Sequence, residues 1–123
     1  MKTGRWLTGM GSVILLFTGI GHTTGIVRVE KMMVESGMKA PLDVLLKVCW
    51  LTFGGEQLAL AVIAMVASAM AGGGRIVLIC AATMFVNATL LLHFLGPFVG
   101  VYLSVVVALL FLAGGWMQAK EAA

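Results

Sequence analysis

Four apolar runs, at residues 6–27, 48–70, 76–95 and 98–116, set the terms for this chain. A bilayer's hydrocarbon core is about 30 Å thick, and about 20 helical residues cross it. No water reaches the backbone there, so each run must satisfy its own N–H and C=O groups and is expected to be a helix. Composition agrees: 61% of the 123 residues are hydrophobic and 11% are charged, against about 25% charged in a soluble domain. So much apolar surface cannot be hidden in a soluble chain of this size. The expected fold is all-α: one domain over 1–123, an integral membrane four-helix bundle. The expected location is the inner (cytoplasmic) membrane of the cell.

The first run follows Lys2 and Arg5, as a signal peptide would. It is longer than a signal core, and no A-x-A cleavage pattern follows, so it reads as a retained span. "AGGGR" (71–75) and "LGPFVG" (95–100) are short turns, with Pro97 suited to the first turn of the next helix. Short connections make neighbouring helices antiparallel. The segment 28–43, "RVEKMMVESGMKAPLD", carries the densest charge, six of the thirteen charged residues. It suits either a short interfacial helix, ended by Gly37 and Pro41, or a solvated loop.

Lys and Arg divide four and four between the two sides: Lys2, Arg5, Arg75 and Lys120 against Arg28, Lys31, Lys39 and Lys47. An even number of spans puts both termini on one side, and the charges near the first helix favour the cytoplasmic side. The net charge of +3 is scattered, which argues against nucleic acid as a partner and for lipid headgroups. Cys49 and Cys80 form no CxxC and no metal spacing, and fall about 20 Å apart on this plan. They are expected to be free thiols.

Polar groups inside the spans mark the candidate site. Thr8, Gly11, Ser12, Leu15, Thr18, Gly19, His22 and Gly25 recur at spacings of three and four, which is one helix face. Small residues serve close packing between membrane helices, so His22 is expected to point into the bundle. Glu56, in "FGGEQL", is costly in hydrocarbon and calls for a partner or a watery cavity. Gln57 beside it adds hydrogen-bonding capacity. At 1.5 Å per residue, His22 lies about 7 Å, Glu56 about 12 Å, His93 about 3 Å and Tyr102 about 6 Å from one face. Trp50 and Thr52 share that layer, whereas Asn87 and Thr83 read as helix-packing residues.

These groups support three readings. In the first, Glu56, His22 and His93 are candidate acid/base groups around a small hydrophobic ligand, with Trp50, Thr52, Gln57, Tyr102 and Thr18 lining it. Isomerisation is one chemistry that such groups could perform, though whether the protein is an enzyme stays open. This reading needs no cofactor and no metal. In the second, His22 and His93 are the ligands of a haem b, in a haem- or quinone-linked redox protein. In the third, the polar groups only lock helices together, in a homo-oligomer or a subunit of a larger membrane complex.

The stretch "RWLTGMGSVILLFTGIGHTTG" (5–25), with its Arg-Trp start and its G-x-GHT-x-G finish, resembles the opening of small four-span DoxX-like bacterial membrane proteins. The polar first loop, Trp50 with a glycine pair, and the Pro-containing link before the last span fit the same plan. The resemblance implies a four-helix membrane fold, with links to redox metabolism or to the assistance of other membrane proteins. "FGGEQ" departs from it, placing an acid where an apolar residue is expected.

Overall fold

The structure, a computed structural model, describes residues 2–121. It is all-α, with no strand among the described residues. The helices are α1 (Lys2–Thr24), α2 (Ile26–Glu35), α3 (Leu42–Ala69), α4 (Gly74–Leu95) and α5 (Val99–Glu121). Four are long and apolar enough to cross a membrane, with α2 prolonging the first. The bundle is a ring in the order α3–α1–α5–α4, and α3 and α4 close it along its most sparsely packed seam.

The segment after the first span is mostly helix. The backbone passes through Gly25 in a right-handed helical conformation, with the Gly25 N–H donating to Gly21 and the Val29 N–H donating to Gly25. α2 therefore follows on from α1 and packs beside the start of α3, which begins at Leu42 rather than near Val48. Lys47 reaches Glu30 at 3.4 Å across the two helices. Both charges are partly solvated, so this pair adds little stability. Gly37, at φ +69°, ends α2. The Met38 N–H reaches back to Met33 and the Gly37 N–H to Val34, the paired bonds of a Schellman cap.

Small residues decide which helices touch. Gly114 and Gly115 are adjacent, about 100° apart around α5. A Cβ at Gly114 would meet Thr8 Oγ1 at 2.5 Å and the Gly4 carbonyl at 2.8 Å, so this side is pressed on α1. A Cβ at Gly115 would meet the Gly74 carbonyl at 2.9 Å, so that side is pressed on α4. One glycine pair thus seats α5 between two neighbours. The core beneath is Leu15, Ala61, Val77, Met84, Val107 and Phe111, with smaller residues between them. Outward positions such as Phe17, Ile79, Val86 and Leu109 are exposed, as suits lipid contact. Cys49 and Cys80 are both free.

A buried polar link ties α1 to α5. Thr8 Oγ1 donates to the Gly4 carbonyl at 3.1 Å and accepts the Gln118 amide at 2.9 Å. Thr8→Val keeps the shape and strands that amide. A loss of about 1 kcal/mol in unfolding free energy is expected in detergent titrations. No change would mean that the amide finds another partner.

Candidate functional site

His22 and Trp50 form the first cluster. Their rings stack at 3.9 Å with an interplanar angle of 14°, and Phe53 meets the imidazole edge-on at 5.1 Å. The Trp50 indole N–H donates to the His22 carbonyl at 2.6 Å. An uninterrupted helix would offer that carbonyl to the Ile26 N–H, and Ile26 is where α2 begins. Around it, Thr18, Thr23 and Thr24 turn their hydroxyls back onto their own helix. Such bonding slightly weakens and bends a helix. Gly54 lets the two backbones close, because a Cβ there would meet Thr23 Oγ1 at 2.5 Å. The junction of α1 and α2, at His22 and Gly25, is therefore where Trp50 docks.

Glu56 belongs to a second cluster. Trp50 and Glu56 are six residues apart on α3, which is 600°, or about 120° around the helix. Trp50 faces α1, whereas Glu56 faces α4 and accepts a hydrogen bond from the Asn87 amide at 3.1 Å. Both residues are half-buried. No other hydrogen bond or ion pair reaches Glu56 from the described residues.

The remaining groups separate by the same angular reasoning. His93 is six residues beyond Asn87, is exposed, and touches Phe94 edge-on. Tyr102 is two residues from the buried Ser104, about 200° around α5, and is 61% exposed. Thr52 is exposed as well. The four ionisable groups expected at one depth thus do not converge on one pocket. His22 and His93 also stand on diagonal helices, α1 and α4. No group of three or more His, Cys, Asp or Glu suited to a metal ion occurs among the described residues.

Packing reveals a different layer. Leu58 lies beside Gly19, Phe111 beside Gly11, and Glu56 beside Asn87. Counting along antiparallel neighbours from these pairs brings Thr18, Gln57, Asn87 and Ser104 to one level, within about one turn. Every spanning helix contributes at least one polar residue there, about 9–14 Å from the face that carries α2. Ser104 is buried and donates to the Gly100 carbonyl at 2.8 Å. Gln57 is buried too, and its Oε1 has no hydrogen-bond partner. An acceptor stranded in this way costs about 1–3 kcal/mol. The layer therefore holds one carboxylate with a single partner and one amide oxygen with none.

Asn87, expected as a helix-packing residue, makes its bond between α4 and α3, whereas nothing in the sequence singles out Ser104. The helix ends in the fold bring the pair level: Glu56 precedes the end of α3 by 13 residues, and Asn87 follows the start of α4 by 13. In an antiparallel hairpin these positions face each other. No family model, no curated protein and no solved structure matches the chain.

Proposed function

We propose that this protein binds a small hydrophobic molecule with a polar head, received from the bilayer at the α3–α4 seam. The observation that carries the reading is Glu56: a half-buried carboxylate in mid-span, with the Asn87 amide as its sole hydrogen-bond partner among the described residues. The four apolar runs contain no Lys or Arg to pair with it. An unpaired acid in hydrocarbon is expensive and by default functional. The seam is the most sparsely packed of the ring, which suits entry of a ligand between two helices. Glu56 can also carry a proton to or from a bound molecule, so any acid/base conversion would run through it. We place the chain in the inner membrane with both termini cytoplasmic, supported by the even number of spans and by the positive charges flanking the first.

Organic extraction of the purified protein, followed by mass spectrometry, is expected to release one apolar molecule in stoichiometric amount. Glu56→Gln preserves an acceptor for Asn87 and removes the acid, and retention should fall about tenfold, the worth of one charge-assisted hydrogen bond. The paired change Glu56→Leu with Asn87→Leu should leave stability equal or higher, since replacing both polar partners by apolar groups is nearly neutral. If the wild type carries no molecule, or if the double variant fails to fold, the pair is structural and the proposal fails.

A further inference from the structure

Away from that seam, an open groove of about 680 Å³ runs along the outer side of α1 against α3. Trp6, Gly9, Met10 and Val13 form its α1 wall, and Met65 stands on the α3 side. The α1 residues are spaced three and four apart, so they make one continuous stripe. Arg5 lines the end nearest the membrane face, three residues from the start of α1. No ion pair or hydrogen bond engages its guanidinium among the described residues. Trp6 beside it is 71% exposed, as aromatic residues at a membrane interface are.

The dimensions fit one kind of occupant. From Arg5 to Ile14, the deepest α1 residue of the groove, is nine residues, or about 14 Å. Half of a hydrocarbon core is about 15 Å. The groove therefore runs the depth of one leaflet, with a cation at headgroup level and apolar walls beneath. Gly9 keeps its floor open, because a Cβ built there would meet nothing within 4 Å. We infer that this groove is a binding site for one anionic phospholipid. An acyl chain lies along Gly9 and Met10, and the headgroup phosphate receives the Arg5 guanidinium. Arginine suits this role because its planar donors match phosphate oxygens in pairs.

The test is native mass spectrometry of the full chain in mild detergent, titrated in parallel with phosphatidylglycerol and phosphatidylcholine. The wild type is expected to retain phosphatidylglycerol in preference. Arg5→Gln should lower that retention about fivefold, the worth of one basic residue at a lipid surface, and bring it to the phosphatidylcholine level. Gly9→Leu should reduce retention of both lipids by filling the floor. It should fold normally, as judged by gel filtration and thermal unfolding, because its side chain enters open space. Arg75→Gln, which removes a cation that does not line the groove, should change nothing. Equal retention of the two lipids by the wild type overturns the inference. So does an Arg75→Gln loss matching that of Arg5→Gln, which would mean diffuse attraction to a basic face. A dimer that Gly9→Leu dissociates would assign the groove to a second copy of this chain, and also overturns it.

Discussion

Gly114→Leu is expected to prevent the bundle from assembling. Even the first carbon of the new side chain would stand 2.5 Å from Thr8 Oγ1, 2.8 Å from the Gly4 carbonyl and 3.0 Å from the Thr8 N–H nitrogen. Two of these are backbone atoms of a helix and cannot rotate away, so α1 and α5 must move apart as bodies. That movement would break the Gln118–Thr8 bond and loosen Phe111, which is fully buried against Gly11. Overpacking costs about 1–3 kcal/mol where side chains can yield, and more where they cannot. The expected result is loss of a monodisperse species in gel filtration. Gly74→Leu should do the same at α4, where a Cβ would meet the Ala119 nitrogen at 2.5 Å. Gly21→Leu is the control: its Cβ would meet nothing within 4 Å, and stability should hold or rise by up to about 1 kcal/mol from helix propensity. If Gly21→Leu is as damaging as Gly114→Leu, close packing is not what these glycines provide.

The second large effect is expected at Trp50. Trp50→Ala removes the ring stacked on His22 and the donor to the His22 carbonyl together. A loss of about 3 kcal/mol follows, in the range for large aromatic truncations. Trp50→Phe keeps an aromatic face and gives up only the N–H, for a loss of about 1 kcal/mol. His22→Phe should be milder still, because the acceptor is a backbone carbonyl that any residue supplies and the stack survives the change. Denaturant titrations in detergent would order the three variants. If His22→Phe proves the worst of them, the imidazole itself carries a role that the stack and the carbonyl do not explain.

These two regions show what could be read before folding and what could not. The small-residue stripe of α1 was legible because helical spacing of three and four puts Thr8, Gly11, Ser12, Leu15 and Gly19 on one face, and all five are buried. The partners of that stripe were not legible. Its first half meets α5 and its second half meets α3, and nothing local to α1 states where the change falls. The site differed for a related reason. Depth along a span follows from counting, so His22, Glu56, His93 and Tyr102 could be placed in one third of the membrane. The direction of each side chain also depends on how its helix is rotated in the bundle. That rotation is set by close approaches to other helices at glycines such as Gly54, Gly114 and Gly115.

The sequence by itself determined that there are four spans, that they are helices, and roughly where each turns. Those properties come from the cost of an unsatisfied backbone in hydrocarbon, and each run meets it alone. Only the tertiary structure decided that Glu56 faces Asn87 and that His22 faces Trp50, leaving His93 and Tyr102 outside. Helix rotation is a collective result of close approaches among all four helices, and no single segment contains it.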